Sequence, residues 1–136
     1  MSNESTWPNQ HEDSFKISGF QFASDEVLED LTIRYMTLGT PQHDAGGNIS
    51  NAALLLHNTT GSGQTWLQPN LADELFGDGQ ALDLREHFVI IPDMIGFGGS
   101  SKPSDGMRAR FPHYRYDDLV VSTHRLLTEG LGIDRL

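Results

Sequence analysis

The apolar positions of this 136-residue chain follow two kinds of pattern. Near the N-terminus they alternate with polar ones: Phe15, Ile17, Phe20 and Phe22 with Gly19 as a bulge position, then Leu31-Thr32-Ile33-Arg34-Tyr35-Met36-Thr37-Leu38. A period of two marks half-buried strands, so 15–23 and 31–38 are expected to pair antiparallel about a turn at Ser24-Asp25-Glu26. Further on the apolar residues come in unbroken runs, Ala52 to Leu56 and Phe88 to Ile91. Such runs are the signature of strands covered on both faces, as in the middle of a parallel sheet. Pro69 to Phe76 reads as a short helix with Leu71, Leu75 and Phe76 on one face and Gly77 at its end. Tyr116 to Leu131 reads as a longer one. Tyr116, Leu119, Val120, Leu126 and Leu127 recur at helical spacing, Asp117 and Asp118 lie near its positive end, and Gly130 marks its stop. Ile133 to Leu136 reads as the start of another strand.

A strand pair followed by strand, helix, strand, helix and strand predicts an α/β fold with a mostly parallel sheet and an antiparallel pair at its start. Residues 1–14 read as a polar arm and 15–136 as one domain, with polar loops at 42–51, 78–86 and 105–115 and no internal repeat. An apolar fraction of 37% and a charged fraction of 21% place the chain in the globular class. Nineteen acidic residues against nine basic ones give a net charge of −10, which argues against nucleic acid or an anionic membrane surface as partner. The lack of cysteine excludes disulfides, thiolate metal sites and a Cys nucleophile. No run approaches the ~18 apolar residues that a bilayer span needs. The first residues lack the basic start and apolar core of a signal peptide, so with Met1 as the start a cytoplasmic location is expected.

Two stretches carry candidate chemistry. The run from Ala52 stops at His57 and opens into Asn58-Thr59-Thr60-Gly61-Ser62-Gly63. A loop at the carboxyl end of a sheet strand leaves backbone N–H groups free to meet a ligand. It can hold an anion, including the oxyanion of an acyl-transfer reaction. Taken alone, it is equally the pattern of a Gly-rich turn. The second stretch is Asp93-Met94-Ile95-Gly96-Phe97-Gly98-Gly99-Ser100. Asp93 stands at a strand end where its carboxylate can organise the N–H groups of a glycine turn. Gly96 and Gly98 permit positive φ or close backbone contact, and Ser100 can tie the loop to itself. By itself this stretch reads equally well as a structural turn.

With Tyr35 to Pro41, Asn51 to Gly61, Pro92-Asp93 to Pro103-Ser104 and Tyr116-Asp117-Asp118 taken together, the chain resembles the α/β-hydrolase-fold family. The closer likeness is to its homoserine O-acetyltransferase-like branch and hydrolase relatives, and it runs from Phe20 to the C-terminus. The resemblance implies that one oxyanion donor is a backbone N–H from the loop after the third strand. Thr59 holds that place. His57, Asn58, Thr60, Gly61, Asp93, Gly96, Gly98 and Ser100 would shape the loops, His57 as a hydrogen-bonded imidazole at the strand end rather than a general base. The family commonly has His-Gly where this chain has His57-Asn58, and Asn tolerates the left-handed backbone that a turn there needs.

The segment Ile95 to Pro103 is short, as in the hydrolase relatives, so ester hydrolysis and acyl transfer to homoserine both stay open. The implied partner is a small-molecule acyl substrate, with no cofactor and no metal. The family's serine sits on a Gly-x-Ser-x-Gly elbow, which does not occur here: Gly61-Ser62-Gly63 lacks the spacing and Gly98-Gly99-Ser100-Ser101-Lys102 ends in Lys. The resemblance places the elbow after the strand that begins near Ile133, and the acid and the catalytic His beyond it. The expectation is therefore the N-terminal part of a serine-dependent enzyme, with negligible turnover of its own and an unpaired apolar sheet edge prone to aggregation. The alternative is a binding or regulatory fragment of the same fold.

Rival chemistries fit poorly. No Lys follows Gly61 as a phosphate loop requires, and Ser101 stands where a dinucleotide fingerprint wants Gly. The six His residues are scattered without metal-site spacing, and His11-Glu12-Asp13 and His43-Asp44 read as solvated loop residues.

Overall fold

The computed structural model describes residues 7, 9–57, 62–96, 98–101, 115–134 and 136. Within them lie strands β1 (His11–Gln21), β2 (Val27–Leu38), β3 (Ala52–Leu54) and β4 (Phe88–Pro92) and helices α1 (Pro69–Leu75) and α2 (Tyr116–Arg125). A 3-10 turn, Gly63–Leu67, precedes α1, and a π turn, Leu126–Gly130, extends α2.

The strands form one mixed sheet in the order β1-β2-β4-β3. β1 and β2 pair antiparallel, as the alternation predicts, but β2 is also antiparallel to β4, and β3–β4 is the parallel pair among the described residues. The expectation of a mostly parallel sheet is corrected to this extent: the opening hairpin adds to β4 directly, and periodicity gives no information on strand direction.

β1 begins at His11 rather than Phe15, so residues 11–14 belong to the sheet and not to a polar arm, and His11-Glu12-Asp13 are strand rather than loop residues. Their side chains are exposed, on a stretch of β1 that no described layer covers. Pairing with Thr37, Met36 and Tyr35 holds them there, without side-chain burial. Gly19 is not a bulge, since Ser18↔Asp30 and Phe20↔Leu28 keep one register; its φ of +61° instead shifts the buried positions from Ile17 to Phe20 and Phe22.

β4 is the centre of the packing. All five of its residues are buried because its two faces meet different layers. Val89 and Ile91 pack with Met36, Leu38, Ala72 of α1 and Phe76 just after it, whereas Phe88 and Ile90 pack with Ala52, Leu127 and Ile133. β3, expected at the middle of the sheet, is among the described residues an outer strand of three residues. One more bond, from the Leu55 N–H to the Ile90 carbonyl, prolongs its pairing, and Leu56 is 44% exposed.

The C-terminal part departs from expectation in two ways. Residues 133, 134 and 136 form no strand, although Ile133 is buried against Leu127 and Ile90. Tyr116 and Val120 of α2 are exposed, while Asp118, Ser122 and Thr123 are buried. The burial of Asp118 has a cause: its carboxylate accepts from the N–H of Arg115 at 2.8 Å, capping the helix, and from the N–H of Ala23 at 2.7 Å, tying α2 to the end of the β1–β2 hairpin.

Candidate functional site

Because β3 and β4 run parallel, their carboxyl ends open on the same edge of the sheet, where ligand sites in such sheets are built. The end of β4 is the better defined of the two. Pro92 closes the strand, and Asp93 continues its pairing by donating its N–H to the Arg34 carbonyl at 2.8 Å. The Asp93 side chain is buried. It accepts from the N–H of Gly63 at 2.7 Å, from the N–H of Gly99 at 2.9 Å and from the Arg34 guanidinium at 3.2 Å. One carboxylate thus joins the 3-10 turn after the first loop to the glycine turn after the second.

The glycine turn folds tightly over that carboxylate. Gly96 has φ +91° and donates its N–H to the Ser101 carbonyl at 2.8 Å. Gly98 has φ +53°, and a Cβ there would stand 2.3 Å from an Asp93 carboxylate oxygen, so only glycine fits. Ser100 is fully buried; its hydroxyl donates to the Asp93 carbonyl and accepts from the Arg34 N–H at 2.9 Å. Ser101 exchanges bonds with Thr32, accepting the Thr32 N–H on its hydroxyl and donating its own N–H to the Thr32 carbonyl, each at 2.9 Å. The turn is thereby fastened to β2.

At the end of β3, His57 is buried and its Nε2 accepts the Met94 N–H at 3.0 Å. Asn58, Thr59, Thr60 and Gly61 lie outside the described residues. After them, Ser62 opens the 3-10 turn by accepting the Gln64 N–H at 3.3 Å, and the described chain reaches Asp93 again at Gly63. Of the residues singled out in the sequence, Asp93, Gly96, Gly98 and Ser100 therefore form one unit, with His57 bonded to its next residue, Met94.

Sequence reading missed two parts of this unit. Gly63 passed as the tail of a Gly-rich turn, and Arg34 passed as an outward polar position on an alternating strand. Arg34 also pairs with Glu12 at 2.7 Å, and Glu12, ahead of Asp93, holds the guanidinium's pKa above its ordinary value. No local pattern links Arg34 to Asp93.

Beside these polar supports lies an apolar groove of about 250 Å³, lined by Leu54, Leu56, Met94, Tyr116, Val120 and Leu127 among others. Among the described residues, no group of three or more His, Asp or Glu side chains is placed to hold a metal ion, and no helix is long and apolar enough to cross a membrane.

No protein-family model matches the chain. It is 33% identical over 123 residues to a probable acyltransferase of Methanothermobacter thermautotrophicus, a match covering 90% of this chain and 37% of that protein. It is 37% identical over 141 residues to a homoserine O-acetyltransferase of Pelobacter propionicus, covering 92% of this chain and 37% of that protein. Among solved structures, an acetylester hydrolase from Corynebacterium glutamicum superposes with a TM-score of 0.78 at 30% identity, over 93% of this chain and 35% of the other. The chain spans about a third of the length of the relatives it matches.

Proposed function

We propose, from the premise that this chain is a relative of the homoserine O-acetyltransferases and acetylester hydrolases over about a third of their length, that it carries the oxyanion-loop part of a serine-dependent α/β-hydrolase-fold enzyme. The substrate is a small acyl ester, and the reaction is hydrolysis or transfer of the acyl group to an alcohol such as homoserine. Attack of a serine Oγ on the ester carbonyl turns its oxygen into an oxyanion, and backbone N–H groups aimed at that position lower the barrier. In this reading the Thr59 N–H is one such donor. Asn58, Thr60 and Gly61 shape its loop, while His57, Asp93, Gly96, Gly98 and Ser100 form the support beneath it. The nucleophile, the acid and the catalytic His come from outside these 136 residues. Within them the Ser62 hydroxyl caps a turn and the Ser100 hydroxyl is buried under Asp93.

The observation that carries the reading is the Asp93 carboxylate, which fixes the exit of the loop, at Gly63, to the end of the neighbouring parallel strand. A hybrid tests it, with this chain continued after Leu136 by the part of the Pelobacter propionicus relative beyond the match. Saturable turnover of p-nitrophenyl acetate is expected from the hybrid and none from the 136 residues alone. Thr59→Pro, which removes the N–H, should lower kcat about a hundredfold in a folded hybrid. O-acetylhomoserine formed when homoserine is added marks transfer; acetate alone marks hydrolysis. Unchanged kcat in Thr59→Pro, or saturable turnover by the chain alone, overturns the assignment.

A further inference from the structure

Residues 11–14 at the start of β1 are polar and exposed, yet they keep a regular register against β2. The Glu12 carboxylate gives this stretch a polar anchor. Its Oε2 accepts from Nη2 of Arg34 at 2.7 Å, and its Oε1 accepts from Nε2 of Gln64 at 3.2 Å. Arg34 turns its other terminal nitrogen, Nη1, to Oδ2 of Asp93 at 3.2 Å, and Oδ1 of Asp93 accepts the Gly63 N–H at 2.7 Å. Gly63 and Gln64 are consecutive, so these bonds close a ring through Glu12, Arg34, Asp93, Gly63 and Gln64. The ring joins β1, β2, the end of β4 and the 3-10 turn. A further feature makes room for it: a Cβ on Gly99 would stand 2.2 Å from Cδ of Arg34, so the missing side chain leaves the space that the arginine stem occupies.

We propose that Glu12 is a positioning residue, an outer brace that holds Arg34 against Asp93 and Gln64 in the 3-10 turn. An exposed ion pair by itself contributes little, because two long side chains lose freedom and water screens their charges. The ring differs in two ways. Side-chain exposure falls along it from 48% at Glu12 through 25% at Arg34 to 2% at Asp93, so screening weakens with each step inward. Each of these three side chains is also held at two points, and the planar guanidinium fork meets two carboxylates at once, which a single ammonium does not match. An exposed strand end thereby fixes the donor set of a buried carboxylate. The brace concerns five residues of this chain; that the braced turn closes an oxyanion loop rests on the reading above.

The test is amide hydrogen exchange followed by NMR on the 136-residue chain. It compares Gly63 with Leu55, whose N–H bonds to the Ile90 carbonyl outside the ring. Glu12→Ala should lower Gly63 protection about fivefold, on the order of one hydrogen bond lost, and leave Leu55 within about twofold of the wild type. Arg34→Lys keeps the charge without the fork and should lose Gly63 protection to a similar degree. Gln64→Ala should show the same selectivity, and because Glu12 and Gln64 are exposed, variants at both are expected to fold. Among the described residues no hydrogen bond joins Gln64 to Arg34, so independent contacts would give losses that multiply. In a ring the double variant Arg34→Lys with Gln64→Ala should lose little more than the larger single loss. Unchanged Gly63 protection in Glu12→Ala, wild-type protection in Arg34→Lys, an equal loss at Leu55, or multiplied losses in the double variant overturns the brace. None of these readouts involves turnover. The selective Gly63 loss with unaffected kcat in Thr59→Pro would refute the oxyanion assignment alone, and the expected kcat loss without the Gly63 effect would refute the brace alone.

Discussion

The carboxyl ends of β3 and β4 lie side by side and are built in opposite ways. At β4 the Asp93 carboxylate is buried and accepts from two backbone amides and a guanidinium, with glycine and serine packed over it. At β3 the strand pairs on one side among the described residues, and Leu54 and Leu56 line an apolar groove with exposed Tyr116 and Val120. The first region is closed by groups that all come from these 136 residues. The second presents apolar surface of the kind that a folded protein normally covers. Among the described residues the two strand ends thus differ in kind: one is held by a buried carboxylate, and the other borders an apolar groove.

The largest test of the closed region is Gly98→Ala. The new Cβ would stand 2.3 Å from an Asp93 carboxylate oxygen at a φ of +53°, so a clash adds to backbone strain. A loss of about 4 kcal/mol is expected from urea unfolding. Gly47→Ala is the control: it has φ +82° with nothing within 4 Å, and should cost only the left-handed penalty, about 1 kcal/mol. Equal costs for the two would mean that Asp93 is not packed under that turn.

Asp93→Ala comes next. It leaves the Gly63 and Gly99 amides and the Arg34 guanidinium without their common acceptor, for about 3 kcal/mol. Asp93→Asn keeps one acceptor oxygen and should cost less. An Ala variant as stable as the wild type would deny the carboxylate its part in holding the two loops.

The closed region was partly legible in the sequence. Asp93, Gly96, Gly98 and Ser100 announced themselves because a carboxylate at a strand end followed by glycines has few uses other than a tight turn around it. Arg34 and Gly63 did not, since both reach Asp93 through the fold and neither sits in a pattern that names a distant partner. The helix at the other region shows a different limit. The stripe of Tyr116, Leu119, Val120 and Leu127 was correctly periodic, but a period gives the direction of an apolar face and not what that face meets. The sheet core takes Leu126 and Leu127, while Tyr116 and Val120 face the groove. In the same way the unbroken run Ala52 to Leu56 signalled double coverage, and among the described residues β3 is an outer strand, so the run is more apolar than its observed neighbours require.

That excess supplies the next test. Val120→Lys is 63% exposed in its wild-type form and lines the groove, so the substitution should change unfolding free energy by no more than about 0.5 kcal/mol while reducing self-association seen by light scattering. A loss comparable to that of Asp93→Ala would show that the groove face is packed rather than open, and the contrast between the two strand ends would shrink accordingly.

The smallest effect belongs to neither region and sets the baseline for both. Arg125 and Glu129 pair across one helical turn at 2.7 Å, on the solvent side of the α2 end. The hydrogen bond from Arg125 is the main reason the Glu129 carboxyl is held below its ordinary pKa. A carboxyl lowered in the fold contributes its stability above the usual carboxylate range and loses it as pH falls through the lowered value. Glu129→Gln should therefore reduce Tm slightly at neutral pH, less at high salt, and not at all once the carboxyl is protonated. A Glu129→Gln shift as large as that of Asp93→Ala, or one that persists in acid, would mean that unfolding is governed by the α2 end rather than by the support at β4.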